Sequence, residues 1–126
     1  MASNNKNKNK SKTYTKNVGE PWFSLIKLGL KSVEGRLNKG EFSKFKKNDV
    51  VVWTNNDFGN LRSVKTKIKS IRKYKTFNDY LSKEGLENCL PGFENIKNGE
   101  NVYYKYYSKE NEEEFGILAI RLQIIK

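Results

Sequence analysis

The chain has 126 residues, one domain's worth, with 25 Lys and Arg against 14 Asp and Glu. It has no histidine, which excludes Ser-His-Asp and Cys-His catalysis and any His-ligated metal. The single cysteine, Cys89, excludes an internal disulfide and a paired-cysteine zinc site, and fits a reducing compartment.

In chain order, residues 1–19 come first. They carry five lysines and no acid, and their aliphatic content beyond alanine is Met1 and Val18. A segment so polar and cationic is expected to be a disordered Lys/Asn-rich tail, either a solubilising leader or a non-specific phosphate-binding arm. That leaves residues 20–126 as one domain. Residues 20–28 predict a short helix, with Pro21 at its first position, Gly29 as its stop, and Trp22, Leu25 and Ile26 on one face. Residues 32–37 alternate and predict a strand with Glu34 and Arg36 on the same side. Residues 49–54, DVVVWT, read as a second strand followed by a polar turn. Residues 63–71 set Val64, Thr66 and Ile68 against Lys65, Lys67 and Lys69, a half-buried strand with a bulge or strand end near Ser70. Helices are predicted over 77–86 and 95–107, separated by the Leu90-Pro91-Gly92 turn. A final strand is predicted over 117–126. The acids Glu110, Glu112, Glu113 and Glu114 read as an exposed loop cluster. The fold class is therefore α+β, mainly β: a small curved barrel with an N-terminal helix and two helices before the last strand.

Charge is distributed unevenly. Residues 21–75 hold 14 basic and 4 acidic side chains, whereas residues 76–126 hold 6 and 9. A folded surface of one sign concentrates anions, which makes a nucleic-acid partner one reading and a merely solvated face the other. The same two readings apply to Lys65, Lys67 and Lys69. Lys31, Glu34 and Arg36 fall at a helix-to-strand corner, where they form either a surface salt-bridge cluster or a polar pocket. Of Trp22, Phe23 and Trp53, two are expected in the core and one is available to stack on a base. Of the four tyrosines 103, 104, 106 and 107 at least two should be buried, with base stacking as the other role open to them, and Cys89 should be a buried small residue. No apolar run approaches the roughly 20 residues that span a bilayer, and no signal-peptide core follows Met1, so a soluble intracellular protein is expected, nuclear or cytoplasmic.

The segment Gly29, Lys31, Glu34, Arg36, in the spacing G-x-K-x-x-E-x-R, resembles the hallmark of ASCH domains in the PUA-like superfamily. Glu20–Ile26 resembles that family's opening helix, Lys47–Val51 its strand entry with Asn48 in place of glycine, and Tyr74–Phe77 its strand-to-helix junction. Leu90-Pro91-Gly92 and the stretch from Tyr103 to Gly116 fit its later half, so the likeness covers residues 20–126. The resemblance implies a PUA-like barrel whose cationic cleft binds nucleic acid, RNA or single strands rather than duplex DNA, or a modified nucleoside. Lys31 and Arg36 would then face phosphate or a carbonyl, and Glu34 would accept from a base edge, with Trp22, Lys65 and Lys67 contributing contacts. No cofactor, no metal and a monomer are expected. One branch is similar to N4-acetylcytidine amidohydrolases, which implies a catalytic set of Lys31, Glu34 and Glu87. The threonine of that branch falls on Glu34, a departure that leaves Lys31 no hydroxyl at this position to activate.

Overall fold

The computed structural model describes residues 10–126. The chain runs β1 (Thr13–Asn17), α1 (Trp22–Lys27), β2 (Val33–Leu37), a 3-10 turn (Gly40–Lys44), β3 (Val50–Asn55), β4 (Arg62–Tyr74), α2 (Phe77–Glu84), α3 (Leu86–Cys89), α4 (Ile96–Tyr104), α5 (Lys109–Phe115) and β5 (Ile117–Ile124). The five strands form one curled sheet in the order β1-β3-β4-β5-β2, parallel between β1 and β3 and antiparallel elsewhere. Among the described residues the sheet stays open between its edge strands β1 and β2. The α+β, mainly-β class expected from the sequence is the class observed.

The tail boundary needs correcting. Residues 1–9 lie outside the described residues, but Thr13–Asn17, expected within a solvated tail, pair with β3 in the register Thr13 to Val50 through Asn17 to Thr54. The reason is an alternation hidden by the Lys/Asn composition. Tyr14 and Val18 bury against Phe45, Val51 and Trp53, while Thr13, Thr15 and Asn17 face solvent. Asp49 secures the entry by accepting from the main-chain N–H groups of Lys12 and Lys46, each at 2.9 Å.

The bulge expected near Ser70 falls between Ile68 and Ser70, and β4 continues beyond it to Tyr74. Between β4 and β5 the chain forms four helices, the two expected and two more. The helix expected over 95–107 stops at Tyr104. Ser108 then caps α5 by accepting from Asn111 N–H. The acids read as an exposed loop cluster lie on α5, and Glu112 is buried. Its carboxylate accepts from Phe77 N–H at 2.7 Å and from Tyr104 Oη at 2.8 Å, which satisfies an orphan donor at the start of α2.

Two apolar clusters divide the interior. One, between the concave side of the sheet and α1, holds Phe23, Ile26, Trp53, Ile68, Ile120 and Leu122; the other, between β2, β5 and the helices α2–α4, holds Val33, Leu37, Phe77, Tyr80 and Tyr103. Adjacent residues of β2 and β5 thus point into different clusters. That parity sends Glu34 and Arg36 to the concave side, beside the opening. Among the described residues no helix is long and apolar enough to cross a membrane.

Candidate functional site

Gly29, at φ +80°, ends α1 and turns the chain so that Lys31 leads into β2. The Lys31 side chain is buried, and its Nζ donates to Val33 O at 2.7 Å and to Cys89 O, and lies 3.3 Å from Glu34 Oε1. Three acceptors around one nitrogen match the three N–H donors of an ammonium. The second Glu34 oxygen accepts from Arg36 Nε at 2.8 Å. Arg36 Nη2 in turn donates to Asn17 O at 2.9 Å, bridging the gap between the two edge strands. The guanidinium carbon also lies over two aromatic rings, 5.0 Å from the centroid of Phe42 and 5.5 Å from that of Trp53. Of the two readings open for this trio, the polar pocket is the one observed.

Burial is the largest influence on the Glu34 carboxyl and pushes its pKa up. The charges of Lys31 and Arg36 with their hydrogen bonds more than offset it, and the carboxyl is held below the usual range. Burial likewise raises the phenols of Tyr103 and Tyr107 and pushes the Cys89 thiol up to about 11, which makes Cys89 a poor nucleophile.

A cavity of about 310 Å³ opens above this trio, within the size range of small-molecule sites. Trp22, Leu90, Val102, Tyr106 and Tyr107 wall it, with Asn17, Val18, Gly19 and Gly35 at its margins and Lys31, Glu34, Arg36 and Tyr103 completing the lining. The structure therefore brings together Trp22, Lys31, Glu34 and Arg36. It does not bring in Lys65 and Lys67, which stand exposed on the outer face of β4, opposite Val52 and Val50 of β3 and away from the concave side. Nor does it bring in Glu87, exposed on α3 and outside the cavity lining. Phe23 and Trp53 are core, as expected for two of the three aromatics. Of the four tyrosines 103, 104, 106 and 107 only Tyr103 is buried, its hydroxyl 3.0 Å from that of Tyr80; Tyr104 and Tyr107 are half-buried and Tyr106 is exposed. The correction follows from the early end of α4, which takes Tyr106 and Tyr107 off the helical face and lays them along the cavity.

Sequence reasoning missed Asn17, Gly35, Leu90 and Val102 as lining residues. Alternation over residues 13–18 could have found the first. For the tyrosines, helical spacing points to packing and leaves stacking as the alternative, and Tyr106 and Tyr107 take a place in the lining.

The ASCH domain family model matches residues 17–126. No curated protein matches the chain. Among solved structures, the crystal structure of hypothetical protein PH0355 is similar at 35% identity and a TM-score of 0.80, over 90% of this chain and 99% of that one. The solution NMR structure of protein PF0455 from Pyrococcus furiosus is similar at 35% identity and a TM-score of 0.73, over 90% and 98%. With the motif residues gathered at one cavity of a curled, mainly-β sheet, the chain belongs to the ASCH domain family and has a PUA-like fold.

Proposed function

We propose that the cavity between the edge strands binds a base of single-stranded nucleic acid, RNA above all, or a modified nucleoside. The observation that carries this reading is a cavity of base size with aromatic walls at Trp22, Tyr106 and Tyr107 and a fixed charged floor at Lys31, Glu34 and Arg36. Aromatic faces accept any base by stacking, at about 1–3 kcal/mol each. The basic excess of residues 21–75 supplies attraction for phosphates, and Lys65 and Lys67 serve as outlying contacts for a longer strand.

Titration of the full chain with a short single-stranded RNA at several salt concentrations tests the electrostatic part. With about five phosphates contacted, the slope of log affinity against log salt is expected near −3.5, from roughly −0.7 per contact. A slope near zero removes the phosphate contacts from the proposal.

A hydrolytic reading has less support. All three Lys31 donors are engaged, Glu87 is outside the lining, and among the described residues no serine or threonine lines the cavity. N4-acetylcytidine is expected to bind without releasing acetate; acetate formed in proportion to added protein would reverse that ranking.

A further inference from the structure

In an antiparallel ladder, residues that bond to the neighbouring strand alternate with residues whose main-chain groups turn the other way. Leu122 N–H donates to Ser32 O at 2.8 Å and Asn38 N–H donates to Gly116 O at 3.0 Å. With Glu34 opposite Ile120 and Arg36 opposite Leu118, the ladder bonds of β2 fall on its even-numbered residues. Val33, Gly35 and Leu37 therefore present their main-chain groups to the free edge, toward the opening.

Two of these are already used in part. Val33 O accepts from Lys31 Nζ and Leu37 O accepts from Lys39 N–H at 2.9 Å. Gly35 N–H and C=O have no hydrogen-bond partner among the described residues. Gly35 is buried, lines the cavity, and without a side chain can line it only with main chain. Buried main-chain groups are almost always paired, so this donor and acceptor call for a partner inside the cavity.

We propose that Gly35 N–H and C=O are the reading edge of the cavity, and that its ligand is a planar ring carrying an acceptor and a donor side by side, as the amide or amidine edge of a nucleobase does. This rests on the nucleobase reading above and specifies how the base is held. An added peptide strand would satisfy β2 differently, because it must pair at every second residue. With the carbonyls of Val33 and Leu37 occupied, only one such position is open, which suits a single ring and not a strand.

The test is a titration of the ¹⁵N-labelled full chain with uridine, cytidine and N3-methyluridine, followed by amide and indole shifts. Uridine or cytidine is expected to move the Gly35 amide together with the Trp22 indole. N3-methyluridine, whose edge is blocked, is expected to bind about tenfold more weakly than uridine or worse, the usual worth of a paired edge contact. Trp22 and Tyr107 shifts with a stationary Gly35 amide and equal affinity for N3-methyluridine would overturn the edge assignment while leaving the base-binding reading intact. Absence of shifts at every cavity residue with all three nucleosides would overturn both.

Discussion

Replacing Lys31 with methionine is expected to destabilise the protein by about 3–5 kcal/mol, the usual cost of removing one partner from a buried ion pair. The methionine occupies similar space, so the loss is electrostatic and not steric. Glu34, with a side chain 8% exposed, would keep only Arg36 as counter-charge, and the carbonyls of Val33 and Cys89 would lose their donor. Each buried acceptor left unmade adds about 1–3 kcal/mol. Against a total stability of about 5–15 kcal/mol for a domain of this kind, the change should be plain in urea unfolding as a lower midpoint with an unaltered slope. The double variant Lys31→Met with Glu34→Met separates pairing from packing. It removes both buried charges and frees Arg36, whose side chain is 19% exposed, to reach solvent. The double variant should therefore be more stable than Lys31→Met alone. A double variant less stable than the single would show that Glu34 contributes through contacts other than this pair.

The same pair sets a pH dependence. The folded-state pKa of Glu34 lies below its unfolded value, near 4.3 for an unperturbed glutamate. Its contribution is thus fully present above that unfolded value and is lost as pH falls through the depressed folded value. Unfolding midpoints measured from pH 7 down to pH 3 should fall with acid in the native protein. The fall should be smaller in Glu34→Gln, which has no carboxyl to titrate at this position. Parallel curves for the two proteins would assign the acid sensitivity to other groups.

The legible parts of this fold were those where one physical signal dominates. β3 is a β-branched run, β4 alternates so regularly that its bulge showed as a slip in spacing, and Gly29 marked the end of α1. β1 was hidden because composition and pattern disagree there: lysines and asparagines surround a strand that needs only Tyr14 and Val18 to bury. Glu112 was hidden for a different reason. A glutamate among three neighbouring glutamates looks solvated, and only the approach of α2's first turn gives it a buried donor. The trio Lys31, Glu34 and Arg36 could be located by spacing, but spacing left its environment undecided between surface and pocket. That depended on the open edge between β1 and β2, a property of sheet order that no local pattern encodes. Lys65 and Lys67 went the other way: their alternation placed them correctly on an exposed face, and that face lies away from the cavity.

Gly35→Ala is expected to be the most damaging single-methyl change in the chain, at about 1–3 kcal/mol or more for overpacking a filled core. A Cβ at this position would stand 2.6 Å from Cζ and Oη of Tyr80 and 2.8 Å from its Cε2, inside any normal contact. Tyr80 has little room to yield, because its ring is fully buried, set edge-on to Tyr103 at 5.6 Å, and tied to the Tyr103 hydroxyl. Gly19→Ala provides the control, since its Cβ would meet nothing within 4 Å. Gly99→Ala should fall between, with leucine methyl groups at 3.0–3.1 Å that can turn aside. If Tyr80 is the obstacle, Tyr80→Leu should cost less in the Gly35→Ala background than in the native protein, a favourable coupling that chemical denaturation reads directly. Equal costs in both backgrounds would mean that the strand shifts instead of the ring. The close approach of Tyr80 thus excludes a side chain at residue 35, and a position held to glycine by packing on one side is left with bare main chain toward the cavity on its free edge.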